Sequence, residues 1–202
     1  YSDISTNSFY ASHIITGAGG GGMVCFNNDT WLKKGIVMRS WGRQSSLFGA
    51  HEKSEDLKKR FADTLEEKPY DAKFIFSEIG YNFQPLEISA AFALQQLNRF
   101  KKFTHIRQRN FKTLYQFFQK YEKFFVLPAQ HKKVFTNWLA FPLTIKKEAP
   151  FSRFDLVTYL ERNNIQTRPI FSGNILKQPG FQEITHRTLE RQYPVTDYIM
   201  HQ

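Results

Sequence analysis

The segment Ser8-Phe9-Tyr10-Ala11-Ser12-His13-Ile14-Ile15-Thr16-Gly17 leads into a glycine-rich run that ends at Gly22. Apolar runs over residues 6–10 and 22–26 flank this segment and predict two buried strands. The glycines permit tight turns and close approach of the backbone to another group, but they do not spell a dinucleotide fingerprint or a P-loop. A histidine after a strand is more often structural than catalytic. The residues alone therefore indicate an α/β fragment with a candidate histidine-centred site.

Two helix starts are marked by polar capping residues. Asn27-Asn28-Asp29 predicts the cap of a helix from Thr30 to about Arg39. Ser152-Arg153-Phe154-Asp155 resembles a capping box, with Asp in place of the usual Glu, and predicts a helix to about Arg162. Between these two helices, residues 43–78 are polar and predict a long connection.

Apolar spacing predicts two further helices and two further strands. Pro85 fits the first position of a helix, and a longer helix follows it. Alternation over 138–145 and the run 167–171 predict strands. This order suits the end of an α/β domain that is joined through long helices to a small α+β domain. The apolar residues expected on the buried faces of the two helices are Leu86, Ala90, Ala93, Leu94 and Leu97, then Phe103, Ile106, Leu114, Phe117, Phe118 and Tyr121.

Composition narrows the function classes. The 202 residues carry a formal net charge of +10, but the basic residues are scattered in pairs, which favours solvated surfaces. A nucleotide-sugar pyrophosphate is the next candidate anion, and nucleic acid is third because no binding module is recognised. No apolar run approaches a membrane span. The single Cys25 excludes an internal disulfide and a cysteine-based metal cluster within this chain, and it fits a reducing cytoplasm. No metal-ligand spacing stands out, so we expect no metal.

Five sequence blocks, which follow one another along the chain in the order listed below, resemble segments of the sugar aminotransferases of the DegT/DnrJ/EryC1/StrS family. These enzymes use pyridoxal 5′-phosphate (PLP). The last two blocks are similar to a narrower subgroup, the nucleotide-sugar 3-dehydratases, which carry His in place of the PLP lysine, as His13 does here. The blocks are the Ser8–His13 segment with its glycines, Gly80-Tyr81-Asn82-Phe83-Gln84-Pro85-Leu86-Glu87, Arg107-x-Arg109-Asn110, Trp138 with Phe141-Pro142, and Thr167-Arg168-Pro169-Ile170 with Gly173-Asn174.

The resemblance implies the C-terminal half of a PLP-dependent transferase of fold type I. Residues 1–84 would end the large PLP-binding domain, and residues 85–202 would form linking helices and a small α+β domain, truncated at both ends. The chain opens on Tyr1, and we expect it to be an internal piece of a longer protein. Since the pyridine-binding aspartate of the family would lie upstream, we expect the chain alone to bind PLP weakly and to be inactive.

The resemblance also assigns roles to individual residues. Ser8 matches a serine that binds the PLP phosphate, and His13 matches the general base that replaces the lysine. Asn82 and Gln84 match the segment that reaches the cofactor phosphate of the neighbouring subunit in a homodimer. Arg168 and Asn174 are expected to face the substrate, with a surface ion pair as the alternative for Arg168. These assignments rest on the matching motifs.

The implied activity is 3-dehydration of a nucleotide-linked 4-keto-6-deoxyhexose in deoxysugar (lipopolysaccharide O-antigen) biosynthesis. The cofactor would alternate between PLP and its aminated form (PMP), with glutamate as amino donor. Trp41-Gly42-Arg43 is followed by no cysteine, which argues against the iron–sulfur cluster of some subgroup members. The alternatives are a nucleotide-sugar aminotransferase, against which His13 argues, and an inactive truncated homologue.

Overall fold

The computed structural model describes residues 2–49, 56–187 and 193–202. The chain divides into two compact units, Tyr1–Lys101 and Lys102–Gln202. The expected domain boundary after residue 84 stays a prediction, because compact units are not functional domains. The first unit contains β1 (Ile4–Ser8), β2 (Gly22–Phe26), α1 (Asp29–Arg39), a 3-10 helix (Gln44–Phe48), α2 (Leu57–Arg60), β3 (Thr64–Leu65), β4 (Lys68–Pro69), a 3-10 helix (Ala72–Phe74) and α3 (Glu87–Asn98).

Helix α4 (Phe100–Gln119) begins at the end of the first unit, and all of it after Lys101 belongs to the second unit. Two very short strands pair antiparallel in this unit, and their residues Phe125 and Ile145 are its buried apolar centre. These strands are β5 (Phe125–Val126) and β6 (Thr144–Ile145). The further elements are α5 (Arg153–Arg162), 3-10 helices at Ile175–Lys177 and Pro179–Phe181, and α6 (Pro194–His201).

The strands β1 and β2 form an antiparallel hairpin whose register runs from Ile4 opposite Phe26 to Ser8 opposite Gly22. The prediction of two strands is confirmed for residues 22–26, whereas the first strand lies two residues earlier than expected because Tyr10 already begins a turn. The prediction that they are buried is wrong. Only Phe26 is half-buried, since no other described strand extends this two-stranded ladder.

Helix α1 confirms the cap prediction. The side chain of Asn28 accepts a hydrogen bond from the backbone N–H of Trp31 at 3.0 Å, and the helix ends at Arg39. Gly35 lets the helix pack closely on the hairpin, because a Cβ there would lie 2.8 Å from the ring of Phe26. Ser40 follows the helix as its C-terminal cap and lies opposite Asn82 of the Gly-Tyr-Asn block in an antiparallel bridge.

The predicted connection over 43–78 includes residues 50–55, which lie outside the described residues. Its described parts contain only short elements, held together by a two-pronged ion pair from Arg60 to Asp71. The hydrogen bond from Arg60 holds the pKa of the Asp71 carboxyl below its ordinary value of 3.8. Asp71 also caps the 3-10 helix Ala72–Phe74 through the N–H of Lys73.

The expected strand over 138–145 is wrong except at Thr144–Ile145. Side chains of α4 occupy the backbone acceptors that a sheet would use: Arg107 donates to the carbonyls of Trp138 and Leu139 at 2.9 and 3.2 Å. The ring of Trp138 stacks on that of Phe111, with centroids 4.1 Å apart. The segment therefore lies against a helix and does not join a sheet.

The capping box at the start of α5 is confirmed, with Ser152 and Asp155 each bonded to the other's backbone N–H. The strand expected over 167–171 is wrong. Thr167 donates its N–H and hydroxyl to Glu161, and Phe171 has a φ of 46°, which no strand accommodates.

The apolar faces predicted for α3 and α4 are only partly covered. Ala93 is buried, and Phe118 packs edge-on against Phe125. By contrast, Leu86 is 73% exposed, and the other predicted core residues that remain exposed are Ala90, Leu94, Leu97, Leu114, Phe117 and Tyr121. The prediction of a fully buried helix face is therefore wrong for the described residues.

Candidate functional site

Ser8 and His13 belong to one hydrogen-bonded turn at the end of β1. The backbone N–H of Tyr10 donates to the Ser8 hydroxyl at 3.3 Å, and the N–H of His13 donates to the carbonyl of Tyr10 at 3.0 Å. Through Tyr10, these two bonds connect Ser8 and His13, which lie five positions apart in the sequence. Both residues are exposed, so both side chains are accessible to a ligand.

The turn is part of a larger loop that hydrogen bonds close at its base. Phe9 donates to the carbonyl of Gly21 at 3.0 Å and accepts from the N–H of Gly17 at 2.7 Å. A Cβ on Gly17 would lie 2.2 Å from the carbonyl oxygen of Gly20 and 3.4 Å from that of Ser89. Glycine is therefore required at position 17, and the loop lies beside the first turn of α3.

The segment that carries Asn82 is fixed to the end of α1. Asn82 lies opposite Ser40 in an antiparallel bridge, and Gln84 donates its side-chain amide to the Ser40 hydroxyl. Ser40 is only 4% exposed, whereas Asn82 and Gln84 are exposed. Ser40 was not among the predicted site residues. Its partner lies 44 positions away, and no local pattern marks that contact.

The Trp41-Gly42-Arg43 motif lies next to this segment. The guanidinium of Arg43 lies 4.9 Å from the ring centroid of Trp41 and 5.8 Å from that of Phe76, a cation–π arrangement. Gly42 has a φ of 81°, and a Cβ there would lie 1.8 Å from the carbonyl oxygen of Glu78. The motif thus makes a tight backbone crossing.

Arg168 and Asn174 lie in the second unit and differ in their surroundings. Arg168 is exposed, and its guanidinium donates to the carbonyl of the preceding Thr167 at 3.2 Å. Asn174 is 8% exposed and already uses both ends of its amide. The oxygen accepts from the N–H of Leu176 at 3.1 Å, and the nitrogen donates to Asp197 at 2.8 Å. In this structure Asn174 fastens α6 to the preceding loop.

The carboxylate of Asp197 completes this anchor. Lys177 pairs with it at 2.9 Å, and the hydrogen bond from Asn174, followed by that from Lys177, holds the pKa of Asp197 below its ordinary value of 3.8. Gly173 allows the close approach, since a Cβ there would lie 2.6 Å from the side chain of Met200. The predicted substrate role of Asn174 stays a prediction, and it would require this internal bond to rearrange.

A shallow pocket of about 160 Å³ lies along α4 in the second unit, and its polar lining comes from Arg107 and Asn110 of the third sequence block. The described residues contain no group of three or more His, Cys, Asp or Glu side chains placed to hold a metal ion. In the described ranges, no helix combines the length and apolar character that a bilayer span needs.

The chemistry of the Ser8, His13 and Asn82 side chains fits part of a PLP site. The Ser8 hydroxyl accepts one bond from Tyr10 and keeps its own proton to donate to a phosphate oxygen. The amide of Asn82 offers a second neutral donor. Imidazole can take and return a proton near neutral pH but does not form the Schiff base that a lysine amine forms.

Comparisons with known proteins show a family likeness along the whole chain. The DegT/DnrJ/EryC1/StrS aminotransferase family matches residues 1–202. The lipopolysaccharide biosynthesis protein RfbH of Salmonella typhimurium is 37% identical over 205 residues, which are 100% of this chain and 46% of that protein. The dTDP-4-dehydro-2,6-dideoxy-D-glucose 3-dehydratase of Saccharopolyspora spinosa is 34% identical over 189 residues, which are 93% of this chain and 40% of that protein. The chain spans less than half the length of these relatives.

A solved structure shows the same fold. The E. coli GDP-4-keto-6-deoxy-D-mannose-3-dehydratase with bound hydrated PLP has a TM-score of 0.77 and 24% identity, and the match covers 98% of this chain and 48% of that chain. At this identity the likeness concerns the fold alone. The expected fold class, a mixed α/β portion of the PLP-dependent aminotransferase fold, is confirmed.

Proposed function

The chain belongs to the DegT/DnrJ/EryC1/StrS aminotransferase family, and from that premise we propose that the complete protein is a PLP/PMP-dependent 3-dehydratase. Its substrate would be a nucleotide-linked 4-keto-6-deoxyhexose of deoxysugar (lipopolysaccharide O-antigen) biosynthesis. Two named relatives support this assignment, one a lipopolysaccharide biosynthesis protein and one a sugar 3-dehydratase.

The observation that carries the proposal is the exposed imidazole of His13 in a turn shared with Ser8. An imidazole cannot hold the cofactor covalently, so it does not compete with the substrate for the cofactor's reactive carbon. It can instead remove a proton and return it near neutral pH. His13 would therefore act as the general base and pass the proton that it removes to the C3 hydroxyl, which leaves as water.

The other residues would bind and orient. Ser8 would donate its hydroxyl proton to the cofactor phosphate, and Asn82 would reach the phosphate held by the neighbouring subunit of a homodimer. Arg168 carries an exposed guanidinium suited to an anionic substrate group. When bound, the aminated cofactor would supply an amine for the C4 ketone and an electron-accepting ring. Glutamate would restore the amine, and a cytoplasmic location would suit these reactants.

A nucleotide-sugar aminotransferase is the second candidate, because relatives of this chain include a GDP-perosamine synthase of Vibrio cholerae. An aminotransferase needs a protein amine to release its product, and His13 supplies none. The third reading, an inactive truncated homologue, predicts that no cofactor binds. These three candidates differ in how the cofactor is held.

Borohydride reduction of the complete protein loaded with PLP separates the first two candidates, and the third is tested by whether the wild type binds PLP at all before dialysis. A lysine-linked cofactor would be fixed covalently, whereas His13 should leave it removable by dialysis. We expect no label on the His13-containing segment of the wild type and covalent label there in His13→Lys. His105→Lys, at an exposed position in α4, is the matched control and should stay unlabelled at residue 105. Covalent label on the wild type would contradict the proposal.

A further inference from the structure

We infer that Ser40 and Gln84 are positioning residues that hold Asn82 where it can bind the cofactor phosphate. This inference rests on the proposed function and deepens it. The resemblance placed Gln84 on the cofactor itself, whereas the structure places its amide on Ser40. Ser40 lies in none of the five matching blocks.

The backbone geometry puts the three side chains on one face. Three hydrogen bonds flank the bridge between Ser40 and Asn82: Tyr81 N–H to Met38 at 2.7 Å, Trp41 N–H to Tyr81 at 2.9 Å, and Phe83 N–H to Arg39 at 3.0 Å. In this pattern the bridged residues form the closely spaced, non-hydrogen-bonded kind of pair, so their side chains are neighbours. Gln84 lies on the same face, because its side-chain amide donates to the hydroxyl of Ser40, the residue opposite Asn82.

The segment is held at two points, one on each side of Asn82. On one side, Gly80 crosses the backbone of Gly42 so closely that a Cβ on Gly80 would lie 2.0 Å from the Gly42 nitrogen. On the other side, the Gln84 amide is bonded to Ser40. Asn82 lies between these two contacts and is itself exposed. Its backbone is therefore fixed while its side chain stays accessible.

The burial of Ser40 explains why the second contact matters. Ser40 is only 4% exposed. Among the described residues, Gln84 is the side chain that hydrogen-bonds to the Ser40 hydroxyl, so removing the Gln84 amide would leave that hydroxyl without a side-chain partner. The exposed residue Gln84 thus links the segment that carries Asn82 to the buried hydroxyl of Ser40. Removing either partner should loosen Asn82, and removing both should do no more than removing one.

The test measures the affinity of the complete protein for PLP and for pyridoxal, which lacks the phosphate, by titration of cofactor absorbance. Ser40→Ala and Gln84→Ala should each weaken PLP binding roughly five- to tenfold, less than the loss of a whole hydrogen bond to a charged group because Asn82 itself remains, and leave pyridoxal binding unchanged. The double variant should match the single ones. Ser46→Ala and Gln95→Ala are the matched controls and should bind PLP like the wild type.

Gln84→Glu decides between positioning and direct contact. A carboxylate can accept a hydrogen bond from the Ser40 hydroxyl, so the variant keeps the link with its polarity reversed. If Gln84 only positions Asn82, Gln84→Glu binds PLP at least as well as Gln84→Ala. If Gln84 contacts the phosphate, like-charge repulsion makes Gln84→Glu the weaker binder, and the inference is overturned.

Two other results separate the inference from the function it rests on. An unchanged ratio of PLP to pyridoxal affinity in Ser40→Ala, with Asn82→Asp abolishing the preference for PLP, overturns the positioning role alone. A wild type that binds neither compound overturns the proposed function as well. Thermal unfolding of each variant without cofactor shows whether the fold is retained, and Gln84→Glu, at an exposed position, keeps the test decisive if Ser40→Ala unfolds.

Discussion

Replacing Gly80 with Ala tests the backbone crossing on which the Asn82 segment depends. The φ of Gly80 lies outside the left-handed region, so the substitution acts through space and not through backbone conformation. The added Cβ would lie 2.0 Å from the nitrogen of Gly42 and 2.5 Å from the carbonyl carbon of Trp41. These are backbone atoms, which cannot rotate out of the way as a side chain can.

The distances set the size of the effect. Ordinary contact begins at 3.4 Å, so the two segments must separate by about 1.4 Å to admit the methyl group. A movement of that size would break the three backbone hydrogen bonds that now measure 2.7, 2.9 and 3.0 Å. At about 1 kcal/mol for each bond, we expect Gly80→Ala to lower the free energy of unfolding by about 2–4 kcal/mol.

Equilibrium unfolding in urea measures this loss. Gly180→Ala is the matched control, because a Cβ at Gly180 meets no atom within 4 Å and its φ is ordinary. That control should unfold within about 0.5 kcal/mol of the wild type or be slightly more stable. If Gly80→Ala unfolds at the same urea concentration as Gly180→Ala, the crossing does not exist as described, and the positioning of Asn82 loses its first support.

Three further predictions concern contacts away from the proposed site. Arg107→Ala should lower the urea stability by about 1–3 kcal/mol because two carbonyls lose their donor, while Arg109→Ala, at an exposed position, should change it little. Ser152→Ala should cost about 1 kcal/mol through the lost helix cap, seen as a lower melting temperature. The pKa of Asp71 is lowered by Arg60, so its contribution is present above the unfolded pKa of 3.8 and is lost as the pH falls through the lower folded value. Asp71→Asn should therefore flatten the acid limb of a stability–pH curve, and an unchanged limb would contradict the pairing.

Local signals predicted the starts of α1 and α5 well, whereas Pro85, expected as the first residue of a helix, precedes α3, which begins at Glu87. The caps at Asn28 and Ser152 act within three residues of themselves, so the sequence around them contains the whole interaction. Ser8 and His13 could be recognised from the sequence as one motif for the same reason, since one short turn links them. The family resemblance then supplied their expected roles.

The strand predictions failed where partners distant in the sequence decided the backbone's hydrogen bonds. Apolar alternation at Trp138 is compatible with a strand, but Arg107, 31 positions away, occupies its carbonyl. Thr167 is bonded to Glu161 in the preceding helix and so cannot pair with a strand. Neither contact leaves a periodic trace in the sequence.

The same limit applied to the candidate site. Asn174 was expected to face the substrate from its motif, yet its amide is used by Asp197, 23 positions further along the chain. Ser40 was overlooked because its importance depends on Gln84, which the fold brings to it. Motifs identify which residues are special, but only the packing shows which of them are still available to a ligand.

The central claim is that His13 directs the chemistry to dehydration and away from amino transfer. Its most direct test is product analysis by mass spectrometry and NMR after the complete protein reacts with PLP, glutamate and a nucleotide-linked 4-keto-6-deoxyhexose. We predict a 3-deoxy sugar from the wild type and a shift towards the 4-amino sugar in His13→Lys. A wild type that forms only the 4-amino sugar, or a His13→Lys variant that dehydrates at an undiminished rate, would contradict it.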